Sequence, residues 1–371
     1  MKTKAAVLWE LGEEWSIEDV ELDAPKAHEV TVELAATGLC HSDDHARTGD
    51  MPISLPIVGG HEGAGVVVEV GPEVEDLKVG DHVVLSFMPA CGKCKWCAIG
   101  RSNLCDLGAL LMQGKMISDG GYRIHAKGQN IGGMSLLGTF SPYATVHEAS
   151  AIKIHPWIPL DKAALVGCGV TTGYGTSVYI AKVKPGETVV VVGVGGIGAA
   201  AIQGARIAGA QHIVAIDPVA YKRDMALKLG ATHTAESMEE AIGLVTDLTW
   251  GQMADATILT VGVARGSMIG PLLQLTSKGG RGVVTAVAPF IEVDNEFPLM
   301  EFTLYEKELR GTVFGGANAR ADIPKILSMY ESGQILLDEM ITQTYKLEEV
   351  NKGYDDMRAG NNVRGVILHE H

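Results

Sequence analysis

No stretch of about 18 apolar residues occurs in this chain of 371 residues, so no segment has the length to cross a membrane as a helix. Positive charge is scarce: 30 Lys and Arg stand against 45 Asp and Glu, a formal net charge of −15. A surface of that sign repels nucleic acid instead of releasing its counterions. The start of the chain, Met1-Lys-Thr-Lys-Ala-Ala-Val-Leu-Trp9, lacks the apolar run of a signal peptide and alternates like a first strand. A reducing cytoplasm is therefore the expected location. Internal repeats and low-complexity tracts are also missing. Cysteine is sparse, with six in all, and an even number is compatible with disulfides. A chain this long with 46% hydrophobic residues buries its own core and needs no such staples.

What the chain does have is a division of those six cysteines into two sets with none left over. Cys91, Cys94, Cys97 and Cys105 form a tight cluster, and Cys-x-x-Cys spacing lets neighbouring sulfurs converge on one zinc at about 2.3 Å. This reads as a structural zinc site. A zinc ribbon for nucleic acid has the same spacing, but the acidic charge opposes it. Cys40 and Cys168 lie far apart, in Gly38-Leu-Cys-His-Ser-Asp-Asp-His45 and Gly167-Cys-Gly-Val-Thr-Thr-Gly173. With His61 they make a three-ligand zinc with an open fourth position, the arrangement of a catalytic metal.

Short alternating segments broken by Gly and Pro fill the first part of the chain, as in Glu29-Val-Thr-Val-Glu-Leu-Ala35, Gly65-Val-Val-Val-Glu-Val-Gly71 and Val79-Gly-Asp-His-Val-Val-Leu85. They predict a compact, barrel-like antiparallel domain, with a metal ordering the lobe from about 91 to 105. Near Lys184 the pattern changes to apolar strands alternating with helices. Strands are expected at Thr188–Val192, His212–Ile216, Asp255–Val261, Gly282–Val287 and Leu309–Phe314, with a short one near Ala231–Ala235. Helical runs fall at Ile197–Ala208, Tyr221–Leu229 and Pro271–Thr276. Six parallel strands make a doubly wound dinucleotide fold. Two amphipathic helices, near Ile323–Ser332 and Leu347–Arg358, and a strand Arg364–Leu368 follow, and this tail is expected to pack on the first domain. The fold class is thus α/β, with domains expected at 1–169 plus 314–371 and at 170–313.

The run Gly193-Val-Gly195-Gly196-Ile197-Gly198 follows a strand and opens an alanine-rich helix. Gly193 permits the tight turn, Gly195 the backbone's approach to a pyrophosphate, and Gly198 close helix packing, while the helix start offers free N–H groups. Asp217 ends the second strand, where a carboxylate accepts bonds from the adenosine ribose and repels a 2′-phosphate. NAD(H) is expected over NADP(H), although Lys222 and Arg223 are near enough to receive a phosphate. The competing reading is a plain glycine turn with Asp217 as a cap.

These motifs, together with Gly59-Gly-His-Glu-Gly-Ala-Gly65, resemble the zinc-containing medium-chain alcohol dehydrogenases in order and over essentially the whole chain. The resemblance implies a GroES-like β-barrel catalytic domain and a Rossmann coenzyme domain. It implies two zinc ions per chain: a catalytic one on Cys40, His61 and Cys168, with Glu62 beside it as support or alternate ligand, and a structural one in the four-cysteine lobe. Two thiolates would neutralise Zn²⁺ and leave a Lewis acid that eases deprotonation of an alcohol, with hydride passing to the nicotinamide. Ser42 would take the proton and pass it by way of the cofactor ribose to His45, the end of the relay that faces solvent. Thr172 would hold the nicotinamide. His41 would meet the pyrophosphate, Ile197 the nicotinamide, Lys222 the adenosine ribose and Arg364 a phosphate.

Within the family the chain looks closest to the actinobacterial nicotinoproteins, the N,N-dimethyl-4-nitrosoaniline-dependent, mycofactocin-linked alcohol dehydrogenases. The signs are Pro56-Ile-Val-Gly-Gly-His-Glu-Gly-Ala-Gly65, Leu85-Ser-Phe-Met-Pro-Ala-Cys-Gly-Lys-Cys94 and Ala231-Thr-His-Thr-Ala-Glu-Ser-Met-Glu-Glu240. The resemblance implies a primary alcohol or aldehyde substrate, NAD(H) retained through turnover, a homo-oligomer (dimer or tetramer), and the option of an external, mycofactocin-like electron acceptor. The apolar run Gly108-Ala-Leu-Leu-Met112 departs from the glutathione-dependent formaldehyde oxidisers. The alternatives are a zinc dehydrogenase with dissociable NAD, a zinc-free reductase of the superfamily, and a zinc-stabilised binding module.

Overall fold

Alternation of β-branched residues with polar ones builds the first unit, and continuous valine runs build the second. A computed structural model describes residues 1–371. The chain divides into one unit of Met1–Cys168, Asn318–Gly333 and Ile341–His371 and another of Gly169–Ala317 and Gln334–Met340.

In the first unit, Lys2–Leu8, Ser16–Leu22, Ile124–Ala126, Gln129–Gly133 and Ile57–Val58 close a barrel. Beside it a seven-stranded sheet runs Ala151–Lys153, His82–Leu85, Gly63–Val70, Glu29–Gly38, Arg364–Leu368 and Ile341–Tyr345, with Tyr143–His147 also on Glu29–Gly38. Pairing is antiparallel throughout except for Ile57–Val58 on Gln129–Gly133 and Ile341–Tyr345 on Arg364–Leu368. The strand expected from Val79 starts only at His82, because Gly80, at φ +90°, turns the chain. Aromatic rings fill the barrel's core: Trp15 meets Phe140 edge to face with centroids 5.5 Å apart, and Tyr354 lies 6.3 Å from Phe140.

The second unit is a six-stranded sheet in the order His233–Ala235, His212–Ile216, Thr188–Val192, Ala254–Leu259, Thr276–Val284 and Glu308–Gly311. Every neighbouring pair is parallel. The strand that comes first in sequence, Thr188–Val192, is central and fully buried, and the order reverses beside it, which is where such sheets bind nucleotides. Helix Met238–Leu248, capped by Ser237 accepting from Glu240 N, was not anticipated, although Ser237-x-x-Glu240 carries the pattern of a capping box. Strand Thr276–Val284 starts earlier and ends sooner than the apolar run suggested. The last strand stops at Gly311, and Phe314 turns at φ +54°. Residues 334–340 join this unit because Gln203 of helix Gly196–Ile207 accepts from Leu336 N at 2.7 Å and Arg206 reaches the Gln334 carbonyl at 2.5 Å.

Candidate active site and metal centres

Four buried side chains of the first unit converge: one ligand atom from each of Cys40, His61, Glu62 and Cys168 lies within 4.8 Å of the others. Cys40 is the N-cap of helix His41–Thr48, and its carbonyl accepts from Tyr354 Oη at 3.3 Å. His61 is set by the glycine pair before it. A Cβ on Gly59 would stand 2.6 Å from both the Phe140 and Trp15 rings, and one on Gly60, at φ +82°, 2.5 Å from Phe140. Only glycine lets the backbone lie on those rings. Asp43 then ties the two segments together: its Oδ1 accepts from Gly60 N at 2.8 Å, and its Oδ2 stands 3.1 Å from His61 Nδ1. That second contact is off the line of a good hydrogen bond and leaves both atoms buried without another partner. Cys168 follows Gly167, where a Cβ would overlap the Leu85 carbonyl.

Burial and mutual contact set the electrostatics of the group. A hydrogen bond from Cys168 holds the Cys40 thiol well below its ordinary range despite burial, with His61 and Arg364 helping. The same bond and burial push Cys168 up. Burial opposes charge on His61, but the Asp43 carboxylate and Cys40 lift it well above the usual imidazole value. Glu62 is pushed up to about 7 by burial, against the pull of Arg364. Two thiols, an imidazole backed by a carboxylate, and a carboxylate in reach suit zinc with an exchangeable fourth position. Asp43 Oδ2, 3.1 Å from His61 Nδ1, stands behind the ring and leaves Nε2 as the nitrogen for a metal.

Cys91, Cys94, Cys97 and Cys105 form the second set, also within 4.8 Å. The Cys91–Cys97 and Cys94–Cys105 sulfurs are 3.9 and 4.0 Å apart, close to the roughly 3.8 Å edge of a tetrahedron with zinc–sulfur bonds of about 2.3 Å. All six cysteines are free thiols, which removes the disulfide reading. Backbone N–H groups of Lys93 and Cys94 point at Cys91 Sγ at 3.4 and 3.3 Å, and that of Cys97 at Cys94 Sγ at 3.5 Å. Backbone donors from Cys97 and Asp106 bring Cys94 down to about 6, whereas burial pushes Cys105 up to about 12. Helix Lys95–Ala98 in this lobe buries no residue, so ligand bonds stand in for a core.

Around the first set, Ser42 Oγ lies 3.7 Å from Cys40 Sγ. His45 departs from the expectation of a solvent-facing relay end: its side chain is 2% exposed and its Nδ1 lies 3.0 Å from Asp50 Oδ2. Burial of one helix face, which a lone motif does not reveal, accounts for the difference. The His41 ring is half-buried, 6.0 Å from that of His45. Arg364, expected on a cofactor phosphate, is buried and paired through Nη2 with Glu62. Sequence alone could not place that contact, because it joins residues from opposite ends of the chain. Asp43 and Asp50 were missed as well; both sit in the quoted acidic stretch or just past it.

In the second unit, Gly193 adopts φ +93°, and a Cβ on Gly198 would overlap the Gly193 carbonyl. Nothing in the protein lies within 4 Å of a Cβ on Gly195, so space there is kept for something other than packing. Gly195 caps helix Gly196–Ile207 without any side-chain bond, leaving the N–H groups of the first turn for an anion. Thr260, also missed, donates to the Gly193 carbonyl at 2.6 Å and firms the turn. Asp217 is buried, with Oδ2 accepting from Val194 N at 2.8 Å and Oδ1 from Val219 N at 2.9 Å. It is therefore a loop fastener as well as a charge. Arg223 donates to the Asp217 and Pro218 carbonyls, and Lys222 is half-buried. Thr172 is buried with its Oγ1 unpartnered, and its carbonyl accepts from Thr176 Oγ1 at 2.7 Å.

Comparison with known proteins agrees with both units. Residues 26–156 match the family described as alcohol dehydrogenase GroES-like domain, and residues 196–332 that described as zinc-binding dehydrogenase. Alcohol dehydrogenase B of Mycobacterium tuberculosis is 50% identical over 368 residues, covering 99% of this chain and 98% of that one. The NDMA-dependent alcohol dehydrogenase of Amycolatopsis methanolica is 50% identical over 369 residues, covering 100% and 99%. The crystal structure of benzyl alcohol dehydrogenase from Acinetobacter calcoaceticus superposes with TM-score 0.92 at 28% identity, each chain fully covered. With the zinc ligands, the nucleotide turn and these relatives together, the chain belongs to the zinc-containing medium-chain alcohol dehydrogenases and is an NAD-dependent zinc enzyme.

Proposed function

We propose that this alcohol dehydrogenase oxidises primary alcohols, and reduces the matching aldehydes, with NAD(H) held through turnover as a redox group. The observation that carries the reaction class is the buried convergence of Cys40, His61, Glu62 and Cys168. Cys40, His61 and Cys168 would hold the catalytic zinc, and the four-cysteine lobe a structural one. When bound, zinc supplies Lewis acidity toward the substrate oxygen and the nicotinamide supplies a hydride acceptor. Ser42 and His45 accept and hold the proton. Glu62, anchored by Arg364, supports the ligand set. The turn Gly193–Gly198, with Ile197 at the start of its helix, would receive the pyrophosphate and the adjoining ring, aided by His41. Asp217 would accept from the ribose hydroxyls with Lys222 nearby, and Thr172 would steady the nicotinamide.

Retention of the nucleotide is supported by the 50% identity to an enzyme named for its dependence on NDMA. It is also supported by the loop after Pro289, where Glu292 accepts from Gly266 N at 2.8 Å. A pinned loop slows ligand escape, and escape rate is where affinities of related complexes mostly differ. An external acceptor would then reoxidise the bound cofactor. The acidic surface and a homo-oligomer, dimer or tetramer, fit a cytoplasmic enzyme of this kind. The test is to denature a desalted sample, quantify released nucleotide and zinc, and assay alcohols with free NAD and separately with a nitrosoaniline. Near-stoichiometric NAD(H) with turnover mainly on the nitrosoaniline is expected. A nucleotide-free protein active on added NAD would leave an ordinary dissociable-cofactor dehydrogenase.

A further inference from the structure

His45 is the one proton-handling group of the proposed reaction that is buried and yet must carry a positive charge. The local fold supplies a counter-charge. Helix His41–Thr48 ends at Gly49, whose φ of 81° and ψ of 10° are left-handed, a conformation glycine adopts freely. That cap turns the chain back, and Met51 N closes on the His45 carbonyl at 3.2 Å. Asp50 is thereby brought alongside the helix it has just left, with Oδ2 3.0 Å from His45 Nδ1. Thr48 Oγ1 donates to the same oxygen at 2.8 Å. The side chain of His45 is 2% exposed and that of Asp50 23%.

The other acidic groups of this helix are committed elsewhere. Asp43 serves Gly60 and His61. Asp44 is bound by Arg47 at 3.0 Å and by Arg358 at 2.7 Å. Asp50 faces the imidazole. Because a carboxylate only accepts, Nδ1 of His45 carries the hydrogen and Nε2 keeps the lone pair. A buried imidazolium is disfavoured unless a charge of opposite sign accompanies it.

We propose that Asp50 is a positioning residue for proton transfer. It fixes the His45 tautomer and stabilises the imidazolium formed when the alcohol's proton, arriving by way of Ser42, reaches Nε2. The alcohol O–H bond breaks, an Nε2–H bond forms and the Nδ1–H bond stays intact, while a bound nicotinamide would supply the acceptor for the hydride. The proposal rests on the reading of His45 as proton acceptor.

The test compares Asp50→Asn, Asp50→Glu and His45→Gln as zinc-loaded, full-length enzymes in alcohol oxidation. Asp50→Asn keeps an oxygen for Nδ1–H but loses the charge. Its kcat is expected to fall about tenfold with KM held within about twofold, a split that marks a transition-state interaction. The solvent deuterium isotope effect on kcat should rise, added imidazole should restore rate, and Asp50→Glu should recover most of it. If Asp50→Asn folds poorly, Asp50→Ser provides the same comparison. An unchanged kcat, or equal loss in kcat and KM without an isotope effect, overturns the proposal when His45→Gln is slow. If His45→Gln is also as fast as the parent, the proton-acceptor reading itself fails, and this proposal with it.

Discussion

Asp217→Asn separates two roles that a nucleotide-binding carboxylate can combine. Both oxygens of Asp217 already accept backbone hydrogens, from Val194 N at 2.8 Å and Val219 N at 2.9 Å, and the side chain is 5% exposed. An asparagine has one oxygen, so whichever way the amide turns, its NH₂ faces a backbone N–H. A lost bond with a buried donor left unsatisfied costs about 1–3 kcal/mol. Val194 N is the more deeply buried donor and should keep the oxygen, which puts the cost in the lower half of that range. A loss of that size lowers the melting temperature by roughly 2–8 °C for a unit of this size. The same change removes a negative charge from where a 2′-phosphate would sit. At about 5 Å and an effective dielectric near 20, one charge pair is worth about 3 kcal/mol before screening, so the NADP(H) to NAD(H) ratio of kcat/KM should rise by about one to two decades. Calorimetry and paired nucleotide titrations check both. A lower melting temperature with an unchanged nucleotide ratio would reduce Asp217 to a cap. No change in either would refute the hydrogen-bond reasoning.

Cys168→Ala should abolish turnover in a folded protein, whereas Cys97→Ala should chiefly lower stability and soluble yield; zinc content by mass spectrometry should drop by about one ion per chain in each case. Arg123, 2% exposed, donates to both oxygens of the fully buried Glu29, at 2.8 and 2.7 Å. Arg123→Met leaves that buried carboxylate without a countercharge, with only Lys26 N and the Ser118 hydroxyl as donors, and should cost about 3–5 kcal/mol in urea unfolding, with much of it recovered by adding Glu29→Leu; additive losses would count against the pairing. His369 is held down at about 4 by burial and by His371. Its Nε2 meets Thr37 Oγ1 at 3.1 Å while Nδ1 has no partner. With a folded-state value below the unfolded one near 6.5, the unfolded chain binds the extra proton, so stability is complete above about pH 6.5 and declines toward pH 4, by on the order of 2–3 kcal/mol. His369→Gln should flatten that slope in denaturation measured across the window, and an identical slope would clear His369 of the effect.

The two clusters of ligand-type side chains were legible because cysteine has few structural uses at such spacing, and the nucleotide turn because glycine is needed there for steric reasons that hold in any context. The parallel strands of the second unit followed from apolar runs separated by helices. Other features depend on which surface ends up inside. Nothing local to Gly38–His45 tells that His45 is buried or that Asp50 turns back to it, since both depend on the left-handed Gly49 and on what covers the helix. Arg364 and Glu62 meet across 302 positions of sequence, and the return of 334–340 to the second unit hangs on Gln203 and Arg206. Helix Met238–Leu248 was overlooked although its cap was written in Ser237 and Glu240, because only Ala241 and Val245 are buried along it and its apolar stripe is narrow.

The glycine pair ahead of His61 gives the enzyme's redesign a particular boundary. Gly59 and Gly60 rest on Trp15 and Phe140, so His61, proposed as a metal ligand, takes its position from rings of the barrel's core. Libraries that vary the barrel's aromatic residues to gain thermostability will therefore also shift His61, and activity lost in such variants should reappear when the ring contact, not the ligand set, is restored. Changes confined to exposed strand faces of the barrel carry no such coupling, and they are where this scaffold can drift without a cost to catalysis.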